Sequence, residues 1–157
     1  MMTMYELCAE CHNFFLRRVV RGTFTVTGGN LGEITGAQTG QYIRIVGSVY
    51  NDGVHQYPAV GLADETFTGA VWLLGIPQDF EALLKDINAW EAANSEAIAK
   101  ATAEVLSAGP YTSESFAGYQ YTKKTSIGDV ATTWRDPRLG FAKRLNAWRK
   151  ANHEYTV

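Results

Sequence analysis

The sequence predicts an α+β fold: a helical core of N-terminal, long middle and C-terminal helices, with a small antiparallel β subdomain inserted at residues 22–75. Three observations predict it. Apolar residues recur at three- and four-residue spacing near the start, again from Pro77 to Ser107, and again near the end. Between the first two of these stretches the period changes to two and β-branched residues take over. Clusters of Gly, Pro and Asn stand where the period changes.

The first element is an amphipathic helix from Met4 to about Arg18, with Met4, Leu7, Cys8, Cys11, Phe14 and Phe15 on one face. Arg17, Arg18 and Arg21 then fall near its C-terminal end, where cations suit the helix dipole. After Gly22 the spacing predicts strands over Thr23–Thr27, more weakly over Leu31–Thr35, strongly over Gln41–Tyr50, then Val54–Tyr57 and Thr66–Leu74. Asn51-Asp52-Gly53 is a hairpin signal, because these residues tolerate positive φ. Pro77 is pre-set for a first helical turn, and Gln78, Asp79 and Glu81 keep that turn polar or acidic. The stripe Phe80, Leu83, Leu84, Ile87 and Trp90 resumes at Ala97, Ile98, Ala101 and Val105, with a break predicted at Asn94 and Ser95. Residues 111–133 carry no helical period and read as an extended arm or loop. Asp136 and Pro137 then open a last helix with Phe141, Leu145 and Trp148 as its buried stripe.

Composition narrows the class. A chain of 157 residues with 46% hydrophobic and 19% charged residues suits one domain that buries a core without disulfides or a structural metal. A formal charge of -2 gives no global attraction to nucleic acid or anionic membrane. No apolar run approaches the ~20 residues of a membrane span, and the opening residues lack a basic leader region. A reducing, cytoplasm-like compartment is therefore the expectation, and the two cysteines, three residues apart near the start, allow no long-range disulfide framework.

Candidate chemistry is sparse. Cys8-Ala9-Glu10-Cys11-His12 has the spacing of a c-type haem attachment site, in which two thiols take the vinyl groups and the His ligates iron. Both cysteines fall on the apolar face of the predicted helix, however, which favours buried core thiols. Zinc would need His55 or His153 as a fourth ligand, and neither brings a clustered partner. Ser113-Glu114-Ser115 has no His near it and no glycine elbow. No catalytic, cofactor-binding or metal set is assigned. The C-terminal cations Arg135, Arg138, Lys143, Arg144, Arg149 and Lys150, interleaved with Trp134 and Trp148, fit a helix that offers a basic rim and an aromatic anchor to an acidic protein partner.

The runs QYIRIVGSVYNDGVHQYP, ETFTGAVWLLGIP, YTSESFAGYQYTK and RLGFAKRLNAWRK, in that order, resemble short prophage proteins of Gram-positive bacteria that look like head-tail connector (adaptor) subunits of tailed phages. The resemblance covers about Tyr5 to Lys150. Its most specific stretches are GSVYNDGVHQY and the Ser-Glu-Ser…Gly-Tyr-x-Tyr segment, which is similar to the serine-rich stretch of helical connectors. It implies a structural virion protein of the neck region, not an enzyme and without cofactors. Such a subunit is made in the bacterial host cytoplasm and forms a dodecameric ring with copies of itself. The ring docks under the portal protein and against an adjacent neck or tail protein, with DNA passing through its lumen without specific binding and no membrane involved.

The β unit departs from the plainest all-helical connectors, and its Asn51, Asp52 and Gly53 tip is a candidate contact with a neighbouring subunit or ring. The arm contributes Tyr111, Ser113, Glu114, Ser115, Phe116, Tyr119 and Tyr121, large aromatics and hydroxyls suited to adding to a neighbour's sheet edge. Trp148 and Arg149 complete the candidate contacts. Three alternatives stay open: another neck part (stopper, head-completion or tail-terminator subunit), a Cys/His metal- or haem-binding redox protein, and a ligand-binding module built on the β unit.

Overall fold

The computed structural model describes residues 1–108 and 131–151. Within them the fold is α+β, and the four-stranded antiparallel sheet is a principal element instead of a small insert in a helical core. The elements are α1 (Met4–Glu10), β1 (Leu16–Val26), β2 (Tyr42–Val46), β3 (Gly53–Gln56), β4 (Glu65–Leu74), α2 (Gln78–Ala93), α3 (Ser95–Ala108), a 3-10 turn (Pro137–Leu139) and α4 (Phe141–Asn146). Two compact units emerge: Thr3–Glu81 with the chain from Trp148 onward, and Met1–Met2 with Ala82–Ala147. The arm expected at residues 111–133 lies outside the described residues except for its last three.

In the first unit the N-terminal helix is shorter than its apolar period predicts. Thr3 opens it with a capping box, accepting from the Glu6 N–H at 3.2 Å while Glu6 accepts from the Thr3 N–H at 2.7 Å. It stops at Glu10 because the next residues bond locally against helix continuation. His12 and Phe15 both take φ near 55°, and the Asn13 side-chain oxygen accepts from the Phe15 N–H at 2.9 Å. The chain from Leu16 is already strand. Arg17, Arg18 and Arg21, expected at a helix end, lie on β1.

The strand order is β1-β4-β2-β3, every pair antiparallel. β1 pairs with β4 from Leu16↔Leu74 to Val26↔Glu65, with an irregularity at Arg17. The central strand β4 is buried along its second half, from Ala70 to Leu74, as a strand covered on both faces should be. One face packs Phe67, Val71 and Leu73 with Val26, Ile43 and Ile45. The segment expected as a weak strand at Leu31–Thr35 is irregular; its Leu31 and Ile34 side chains instead close this face of the core. β2 ends at Val46, short of Tyr50, because Gly47 turns out of the strand with φ 93°.

The second unit holds most of α2 together with α3, the 3-10 turn and α4. Asn94 breaks the long middle helix where the sequence places the break. It keeps the bond of its N–H to the Trp90 carbonyl (3.0 Å), and its own carbonyl accepts from the Ile98 N–H (2.9 Å), so α3 starts at once. Asn88 grips Met2 by two bonds, accepting from its N–H at 2.8 Å and donating to its carbonyl at 2.9 Å. Asp136 caps only a 3-10 turn, because Gly140 (φ 78°) interrupts before α4. Of the expected C-terminal stripe, Leu145 is buried, Phe141 is half-buried against Trp90, and Trp148 lies beyond the helix. Trp134 is buried as well.

At Gly69 the β4 backbone comes close to the end of β2. A Cβ there would fall on the Val46 carbonyl oxygen and 3.2 Å from the Gly47 Cα, both of them backbone. Gly69→Ala is therefore expected to cost at least about 2 kcal/mol by overpacking, read as a lower denaturation midpoint in urea.

Candidate interaction site

The hairpin apex between β2 and β3 is braced by side chains. Ser48 donates its hydroxyl to one Glu65 carboxylate oxygen, and the Tyr50 N–H donates to the other at 3.1 Å. Asn51 is buried and does not project. Its amide donates to the Ala63 carbonyl and accepts from the Ala63 N–H, both at 2.8 Å, so it pairs with the following loop as a peptide group would. The Asn51 N–H donates to Ser48 Oγ and its carbonyl meets the His55 ring, each at 2.8 Å. Asp52 is exposed and Gly53 half-buried, the latter opening β3 with φ 134°.

This bracing presents large apolar groups to solvent. Val49 is 81% exposed, Tyr50 71%, and Val60, on the loop that Asn51 grips, 66%. Strict alternation along the strand expected at Gln41–Tyr50 would put Val49 on the face of Ile43 and Ile45, which are buried, but Val49 is exposed. The positive φ of Gly47 ends the alternation two residues earlier. Of the expected apex contacts, Asp52 and Gly53 remain available, while Asn51 serves to hold the apex.

The other expected contacts divide. Tyr111, Ser113, Glu114, Ser115, Phe116, Tyr119 and Tyr121 lie outside the described residues. Trp148 and Arg149 serve the chain itself. Asn13 donates its amide to the Trp148 carbonyl at 2.9 Å, the Lys150 N–H donates to the Cys11 carbonyl at 2.9 Å, and Arg149 donates to the Glu10 carbonyl at 2.7 Å. The last two of these bonds satisfy the Cys11 and Glu10 carbonyls left open where α1 ends, with a cation at its C-terminus. The Trp148 ring meets Phe80 edge-on at 5.3 Å. Other members of the expected basic rim are also engaged: Arg138 pairs with Asp136 at 2.6 Å and Arg144 with Asp86 at 2.8 Å. The Arg138 bonds hold the Asp136 carboxyl down to about 2.

Cys8 and Cys11 are both fully buried. Burial pushes both thiols up, Cys8 with a further push from Cys11. A cluster of three or more groups that could hold a metal does not occur among the described residues. On the other sheet face Arg44 lies between aromatic rings, its guanidinium carbon 4.0 Å from the Phe14 centroid and 4.6 Å from that of Trp72. Sequence reasoning missed this stack. Arg44 alternates with Ile43 and Ile45, but nothing local says that Phe14 leaves the helix to cover it.

Both thiols should resist an aromatic disulfide reagent in the native protein and react only on unfolding. Their folded pKa values are raised, so the stability they contribute is full below the ordinary thiol value of 9.0 and is lost as pH rises above it. A urea midpoint that falls between neutral pH and strongly alkaline pH less steeply in the Cys8→Ala, Cys11→Ala variant checks the sign. Asn51→Ala should cost about 1–3 kcal/mol by leaving the Ala63 peptide groups unpaired, whereas Tyr50→Ser should stay within about 0.5 kcal/mol. Denaturation of the two variants side by side distinguishes them. Neither a family model, nor a curated protein, nor a solved structure matches the chain.

Proposed function

We propose that the chain is a non-catalytic structural subunit of a tailed-phage or prophage neck, a head-tail connector that joins the portal vertex to the tail as part of a ring. The observation that carries this reading is the ordered resemblance of its four segments, from QYIRIVGSVYNDGVHQYP to RLGFAKRLNAWRK, to connector subunits. The braced apex supports it. A subunit that must seat against neighbours gains from apolar groups held in place before contact, because less conformational freedom is lost on binding. Val49, Tyr50 and Val60 are such groups. The buried, protonated thiols weigh against the redox alternative, since the thiolate is the form that attacks disulfides and binds metals.

Mixing the purified chain with the portal ring of its own virion tests the reading. The expected outcome is a coaxial ring of added density in electron micrographs, and particles that lack the chain should be filled heads without tails. Substituting Val49→Asp with Tyr50→Asp should leave the subunit folded and abolish joining. Virions that assemble normally without the chain would overturn the proposal.

A further inference from the structure

Strand β1 is an edge of the sheet and, among the described residues, no strand pairs with its outer side. It is 11 residues long, so it offers an extended row of open N–H and C=O groups. Arg17, Arg18 and Arg21 are exposed on it, and among the described residues none of the three makes a hydrogen bond or ion pair. Other arginines of the chain, Arg138 and Arg144, have carboxylate partners. The other edge, β3, spans only Gly53–Gln56 and carries no cation.

We infer that the outer edge of β1 is a docking site for an extended acidic segment of a partner protein, which adds as a fifth strand with its carboxylates against Arg18 and Arg21. Main-chain bonds supply affinity in this mode and alternate side chains supply choice of partner. The choice is set by charge. A second copy of β1 is a poor occupant. Centred antiparallel pairing of Leu16–Val26 with itself puts Arg21 opposite Arg21 of the copy, and parallel in-register pairing sets all three arginines against their counterparts. Like charges directly opposite one another destabilise a strand pair, and opposite charges stabilise it. The arginines thus disfavour the in-register self-pairing that a long open edge invites and favour an acidic strand.

Arg18 and Arg21, three positions apart, project to opposite faces of the sheet, so acidic residues three positions apart on the incoming strand would lie opposite both. Arg17 sits at the irregularity in the β1–β4 pairing, beside Gly75, where the ladder ends. The edge would take such a strand whether or not the chain sits in a ring.

The test uses the full chain and peptides as long as β1. One alternates Thr-Thr with Glu-Glu, a second replaces each Glu with Lys, and a third keeps the glutamates but carries Pro at alternate positions. Fluorescence anisotropy should show binding of the first alone, weakened by salt, with the Pro peptide at least about tenfold weaker because it cannot form the ladder. Hydrogen exchange should show β1 amides open in the free protein and protected by the first peptide. In the Arg18→Glu, Arg21→Glu variant the preference should switch to the Lys peptide. Equal binding of the Pro peptide would reduce the effect to loose charge attraction and overturn the proposal. Outer β1 amides already protected in the free monomer, or protection that grows with protein concentration through self-pairing, would overturn it as well. Exchange in the wild-type protein decides the matter even if the double variant fails to fold.

Discussion

Strand β4 hydrogen-bonds to β1 on one side and β2 on the other, and on the β2 side the two backbones come too close for a side chain at Gly69. With no side chain there, the Val46 carbonyl and Gly47 pass against β4 directly, and Gly22 lies opposite on the β1 side. A one-residue slip in either pairing would move Val71 and Leu73 off the face they share with Ile43 and Ile45 and set Trp72 in their place. The core on that face, and the aromatic stack around Arg44 on the other, both follow from this registration.

Much of the fold was legible because the local signals agree with one another. The strand at Thr66–Leu74 and the break at Asn94 each rest on residues whose backbone preferences match their observed conformations, whereas the tight turn expected at Asn51–Gly53 is a longer connection over residues 47–52 in which only the glycines at 47 and 53 take positive φ. The N-terminal region was not legible in the same way. Leu7, Cys8, Cys11, Phe14 and Phe15 keep a helical period, and all but the half-buried Phe15 are buried, yet only the first two lie within the helix. Phe14 is buried through the stack with Arg44 and Trp72, a partner set that comes from β2 and β4 and leaves no trace in local spacing. The period-two run Arg18, Val20, Gly22, Phe24 and Val26 was the available sign that β1 starts before Gly22. The helical period overlapped it and hid it.

The candidate contacts divide on the same principle. Composition can locate cations, but it cannot say which of them the chain itself engages. The C-terminal arginines looked like a surface for a partner, and Arg138, Arg144 and Arg149 bond within the chain. The arginines of β1 looked like helix-end charges and instead lie exposed on a strand whose outer side pairs with no other strand among the described residues. Asn51 shows the same division at the apex, where a residue chosen as turn chemistry also replaces a missing rung between two loops.

That replacement has a dynamic consequence. A hairpin tip usually frays independently of its surroundings, because only its own short-range bonds hold it. Here the Asn51 amide engages both the donor and the acceptor of Ala63, while Glu65 holds Ser48 and Tyr50 from the start of the next strand. The apex can therefore open only by releasing residues 63–65 as well. Excursions of Val49, Tyr50 and Val60 away from their native positions become one concerted, rare event in place of three frequent ones.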